Sequence, residues 1–101
     1  MSEAKKHTHP LRKPIKAHGE EIQKLELDEP DANLVMELGY PYLVLQNGGE
    51  GALQLQPKVA AKYISRLAKV PLSSVGQMAI PDLQELQAWV MGFFGDEPAE
   101  T

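Results

Sequence analysis

The stretch Leu11-Arg12-Lys13-Pro14-Ile15-Lys16-Ala17-His18-Gly19-Glu20-Glu21-Ile22-Gln23-Lys24-Leu25-Glu26-Leu27 decides how the chain begins to fold. Side chains two apart share one face of a strand, so Leu11, Lys13, Ile15 and Ala17 fall together, with Arg12, Lys16 and His18 opposite. Leu25 and Leu27 repeat the period. Ile22 is out of step with them, which predicts a bulge or a late start to the second strand. His18-Gly19 stands between the two runs as a tight turn, because Gly takes positive φ without strain. The reading is an antiparallel hairpin.

Beyond it, Glu29-Pro30-Asp31 breaks the strand, and proline and acids suit a helix N-terminus. A short helix over 31–38 would bury Leu34, Val35 and Leu38, with Gly39 as its left-handed cap and Pro41 preventing continuation. Residues 40–56 carry Leu43-Val44-Leu45-Gln46 and Leu53-Gln54-Leu55-Gln56 around a glycine-rich stretch, 47–51. That pattern fits a second hairpin, irregular chain, or a prolonged first helix.

Pro57 opens the clearest helix, over 57–70. Val59, Ala60, Tyr63, Ile64, Leu67 and Ala68 share one side, and Lys58, Lys62, Arg66 and Lys69 the other. Pro71 stops it, and Ser73 or Ser74 is expected to cap a short helix ending near Met78. Pro81 starts a last helix reaching Phe94, with Asp82 and Glu85 in its first turn. Its apolar stripe is Leu83, Leu86, Trp89, Val90, Phe93 and Phe94. The fold class is therefore α+β, a single domain with an N-terminal antiparallel hairpin packed on three to four short helices. The expected organisation is a flexible tail over 1–10, the domain over 11–94, and a disordered acidic tail over 95–101.

A chain of 101 residues, 43% hydrophobic and only 6% aromatic, supports one modest core built from aliphatic side chains. It has no cysteine, which removes disulfides, thiolate catalysis and thiolate-bound zinc from consideration. No apolar run approaches the ~20 residues that span a bilayer, and the first residues lack the apolar segment of a signal peptide. The expectation is a soluble, cytosolic protein with no membrane partner.

The net charge of −4 conceals blocks of alternating sign. Residues 1–18 hold five Lys or Arg against Glu3, and 19–50 hold eight acids against Lys24. Residues 51–81 hold four cations and no acid, and 82–101 hold five acids and no cation. Pairing within the fold is the simplest account, ahead of two faces offered to different partners.

Candidate chemistry is sparse. His7-Thr8-His9 invites a metal, but a site needs three or four convergent ligands, and solvated tail histidines account for the pair. The glycine-rich stretch lacks the Gly-Lys-Ser/Thr ending of a phosphate-binding loop. Asp28, Glu29 and Asp31 suit a turn and a helix start better than calcium. No serine, histidine and acid set forms a nucleophile system, so neither catalysis, a cofactor nor a small-molecule substrate is expected. The stripe Lys58, Lys62, Arg66, Lys69 suits a solvated face first, an acidic protein partner second, and phosphates last. No aromatic interleaves it to stack a base. The last helix is the best interaction candidate, because Leu86, Trp89, Val90, Phe93 and Phe94 belong to a stripe wide for so small a core; a helix packed centrally and simply buried is the equal alternative.

Taken in order, Leu11-Arg12-Lys13-Pro14-Ile15, Gly19, Glu21-Ile22, Leu25-Glu26-Leu27-Asp28-Glu29-Pro30 and Ala32-Asn33-Leu34 form one block of motifs. Leu67-Ala68-Lys69-Val70-Pro71-Leu72, Met78, Asp82-Leu83, Val90 and Phe93-Phe94 form a second. Together they resemble the phage tail assembly chaperones of the Mu-like and related contractile-tailed phages and prophages. The resemblance runs over most of residues 11–94. It implies a non-enzymatic protein of the bacterial cytoplasm that coats the tape measure protein, gives way to tail tube protein, and is absent from the finished particle. Many members of that family also occur as a longer form made by frameshifting. A small nucleic-acid-binding regulator using the basic helix, and a minor structural tail component, are the alternative readings. Oligomeric state is left open.

Overall fold

The computed structural model describes residues 7–47 and 50–95. Its first strand, β1 (His7–Ala17), turns back into β2 (Glu20–Leu27) through His18 and Gly19, both at positive φ (55° and 76°). Positive φ at both positions is the type I′ loop, whose backbone matches the twist of its strands. The expected turn is therefore present.

Register explains why Ile22 reads out of step. Ala17 pairs with Glu20 and Ile15 with Ile22, while His7 pairs with Leu27 and Pro10 with Lys24. Between these blocks, residues 11–14 of β1 face Gln23 alone. The irregularity thus lies in β1, bracketed by Pro10 and Pro14, which have no N–H to give a ladder, and β2 starts without delay. β1 also begins four residues before Leu11. His7 and His9 belong to the sheet, and only residues 1–6 of the expected N-terminal tail fall outside the described residues.

Helix α1 (Ala32–Leu38) starts where the Asp31 carboxylate accepts the Leu34 N–H at 3.0 Å. It ends at Gly39, whose N–H donates to the Val35 carbonyl at 2.7 Å. Gly39 has the positive φ expected of a cap, but its ψ of −177° is extended rather than left-handed helical. The stretch left open in the sequence is a hairpin, β3 (Tyr42–Asn47) and β4 (Glu50–Leu55), paired antiparallel with Tyr42 opposite Leu55 and Val44 opposite Leu53. Within the glycine-rich stretch, Gly48 and Gly49 lie outside the described residues. The Gln56 N–H donates to the Pro41 carbonyl at 2.8 Å and closes the base of the hairpin. Each hairpin is a separate two-stranded sheet.

Helix α2 (Pro57–Ala68) buries Ala60, Tyr63, Ile64 and Leu67, the side predicted from their spacing. Lys69 follows in the left-handed region at φ 61°, its N–H donating to the Ser65 carbonyl. The His18 ring donates through Nε2 to the Lys69 carbonyl at 3.0 Å, so the turn of the first hairpin rests on the end of α2. Helix α3 (Leu72–Val75) is preceded by Pro71, and neither serine caps it. Instead Ser74 is buried and its hydroxyl donates to the Lys16 carbonyl at 2.6 Å, tying α3 to β1. Helix α4 (Ile80–Gly95) completes the domain.

The inner face of the first hairpin, Ile15, Leu25 and Leu27, packs with Ile64 and Tyr63 of α2 and with Leu86 and Val90 of α4. Each fully buried aliphatic side chain contributes roughly 1.5–3 kcal/mol against exposure. Tyr63 is the largest fully buried side chain. Its hydroxyl donates to the Gly39 carbonyl at 2.6 Å, so the polar end is satisfied, and burial pushes its pKa up.

Candidate functional site

The last helix meets several different surroundings, and each decides what its side chains can do. Leu86 and Val90 face the core and are 0% exposed. Both were expected in a docking surface; enclosed as they are by the first hairpin and α2, they hold α4 in place and present nothing to a partner.

On the β1 side, Asp82 is also 0% exposed. Its Oδ2 accepts the Arg12 backbone N–H at 2.8 Å, and its Oδ1 accepts Arg12 Nη1 at 2.6 Å and the His9 ring Nε2–H at 3.1 Å. The bulge in β1 is what turns the Arg12 N–H away from β2 and toward this carboxylate. Arg12 Nη2 reaches Glu85 at 2.8 Å, one turn along α4. Burial by itself raises the pKa of Asp82, but the bonds from Arg12 and His9 outweigh it and hold the carboxyl below its usual range. Glu85 is lowered chiefly by the Arg12 hydrogen bond, and the Arg12 guanidinium is raised by both acids.

His9, Asp82 and Glu85 offer ligand atoms within 4.8 Å of one another, a geometry that invites a cation. The Arg12 guanidinium already occupies both carboxylates, so an ion would have to displace it. The cluster is a clamp between β1 and α4. His9 is thus buried and bonded rather than a solvated tail residue, through a partner 73 positions away. Only the alternation His7, His9, Leu11, which continues the strand period backwards, could have signalled it.

The aromatic residues divide. Phe94 is wedged edge-on against Tyr40, Tyr42 and Tyr63, at centroid distances of 5.9, 6.0 and 5.7 Å. Trp89 is half-buried, stacked on the His7 ring at 4.7 Å and meeting Phe93 edge-on at 5.0 Å. Phe93 is 42% exposed. The outward aromatic surface of α4 is therefore Phe93 with the rim of Trp89, while Tyr40, 58% exposed, lies outward beside Phe94.

The basic stripe also divides. Arg66 makes a two-pronged pair with Glu37, Nη2 to Oε1 at 3.0 Å, and the hydrogen bond lowers the pKa of Glu37. Lys69 meets Asp28 at 3.1 Å. These two cations pair within the fold, as the alternating blocks suggested. Among the described residues Lys58 and Lys62 make no ion pair, and they border a groove of about 320 Å³ lined by Ala61, Leu72, Val75, Gly76 and Leu83.

A further apolar surface was missed in the sequence. Val44 and Leu53 form a cross-strand pair on the second hairpin, 58% and 57% exposed. Leu53 and Leu55 line a cleft of about 440 Å³ against Gln84, Gln87, Ala88 and Met91 of α4. The Leu-x-Leu runs of β3 and β4 were the signal, but their spacing says nothing about which face is covered.

Exposed apolar surface on several sides of a small α+β domain suits contacts with other proteins. Residues 8–95 match the family model of phage tail assembly chaperone proteins, E, or 41 or 14. The chain belongs to this family, and its role is that of a tail assembly chaperone with protein partners in that assembly. No curated protein and no solved structure gives a match.

Proposed function

We propose that this chaperone binds the tape measure protein during tail morphogenesis, without catalysing a reaction, in the cytoplasm of the bacterial host. Tail tube protein then displaces it, and the finished particle does not contain it. The observation that carries the reading is the outward surface of α4: Phe93, 42% exposed, beside the rim of Trp89, on a helix clamped to β1. A long amphipathic client needs apolar surface to cover it, on a support that stays folded when the client leaves. Phe93 and Trp89 supply the first; the Arg12–Asp82 clamp and the buried Leu86 and Val90 supply the second.

The test is co-expression with the tape measure protein of the same phage. Wild-type chain should keep that protein soluble and co-purify with it, Phe93→Ser should lose both effects, and purified particles should lack the chain. A tape measure protein equally soluble alone, or a chain recovered in purified particles, rejects the reading and favours a structural tail component. Duplex DNA is not the expected partner, because Arg66 and Lys69 are engaged by Glu37 and Asp28.

A further inference from the structure

From the groove between α2, α3 and α4 we infer a second docking site, one that takes an amphipathic helix carrying two carboxylates one turn apart beside its apolar stripe. The floor and walls are carbon, from Ala61, Leu72, Val75 and Leu83, and Gly76 adds no side chain to the lining. Leu72 is 47% exposed at the lip, an apolar side chain with half its surface in water. A groove of this kind between helices receives a helix through side chains spaced i, i+3 or i+4.

Charge identifies the occupant. Lys58 and Lys62 stand along one edge, four residues apart on α2 and so about 6 Å apart along its axis. A helix lying beside α2 presents carboxylates at the same spacing when they sit at i and i+4. Both ammonium groups are exposed and make no ion pair among the described residues, whereas Arg66 and Lys69 farther along the same helix are neutralised by Glu37 and Asp28. Residues 51–81 contain no Asp or Glu, so α2 and α3 bring no acid of their own to the groove. On a chain of net charge −4 this edge is a local positive field, which attracts an acidic flank and repels a basic one. The cleft beside Leu53 and Leu55 has no charged lining residue and so selects no partner by sign.

The inference concerns a face other than Phe93 and holds whether or not the tape measure protein is the client. The probe is a pair of 18-residue helical peptides with the same Leu stripe, one flanked by Glu at i and i+4 and the other by Lys. Titrated against the full-length chain at low salt, the Glu peptide should bind at least tenfold more tightly and shift the amides of Ala61, Leu72 and Leu83. The double variant K58E/K62E should reverse the preference, L72E should abolish binding with the thermal midpoint unchanged, and F93S should leave it unaltered. Because both lysines are exposed, K58E/K62E decides the matter even if L72E unfolds. Equal affinity for the two peptides, shifts confined to Phe93 and its neighbours, or retained preference in K58E/K62E overturns the proposal. So does duplex DNA bound at these lysines in place of the peptide, or a dimer of the chain that L72E dissolves.

Discussion

Arg12 donates twice to Asp82, once from its backbone N–H at 2.8 Å and once from its guanidinium at 2.6 Å, so a single carboxylate on the last helix holds both the main chain and the side chain of the first strand. The contact joins residues 70 positions apart and fastens α4 to β1.

Replacing that carboxylate is the most direct test. Asp82→Ala leaves the buried His9 ring without its acceptor, and a buried donor without a partner costs about 1–3 kcal/mol. The expected result is a lower urea midpoint with an unchanged slope. An unaltered midpoint would show that the clamp is not what holds β1 on α4.

Acid should loosen the same contact. Asp82 and Glu85 titrate below their ordinary values of 3.8 and 4.5 when folded. As pH falls, the unfolded chain takes up these protons first, so the stability they provide is full above about pH 5 and is lost progressively as pH drops through the folded values. Urea midpoints at pH 7 and pH 3 should differ, and the difference should shrink in Asp82→Asn. Midpoints that coincide would contradict the lowered values.

Neighbouring positions on α4 should respond in opposite ways. Leu86→Ala removes a fully buried side chain and should cost about 2–5 kcal/mol in equilibrium unfolding. Phe93→Ser, at a position 42% exposed, should stay within about 1 kcal/mol of wild type while losing client binding. Trp89, the sole tryptophan, gives a fluorescence signal for both measurements. If Phe93→Ser unfolds the chain as Leu86→Ala does, Phe93 is core and the proposed client surface is misplaced.

Gly39 offers a test of backbone alone. Its φ of 83° with ψ of −177° lies in a region essentially confined to glycine, yet a Cβ built there meets nothing within 4 Å. Gly39→Ala should therefore cost about 1–3 kcal/mol through conformation, with no clash to relieve. Thermal unfolding of the variant checks it, and an unshifted midpoint would mean the α1 terminus relaxes freely.

What could be read in the sequence was whatever local chemistry dictates. His18-Gly19 marked the turn, Pro57 and Pro81 marked helix starts, and the spacing of Ala60, Tyr63, Ile64 and Leu67 gave the buried side of α2. The family resemblance was legible in motifs from Leu11 to Phe94. What could not be read was which part of an apolar stripe another element covers. Leu86, Val90 and Phe93 look alike by periodicity, and only the placement of β1 and α2 separates core from surface. His9 looked like tail because its partner is Asp82. Lys58 and Lys62 were indistinguishable from Arg66 and Lys69 until Glu37 and Asp28 were placed beside the latter two. The hairpin over residues 42–55 was one of three options, since Leu-x-Leu runs fix a period but not a neighbour.

The clamp between β1 and α4 also bears on the order in which the polypeptide can organise itself as it is synthesised. The residue that secures the first strand lies at position 82, so local pieces such as the His18-Gly19 turn and α2 can form early, while β1 lacks its anchor until α4 has emerged. A nascent chain that stalls before that point leaves His9 and Arg12 without the Asp82 carboxylate. Anchoring of the first strand is thereby coupled to synthesis of the helix over 80–95.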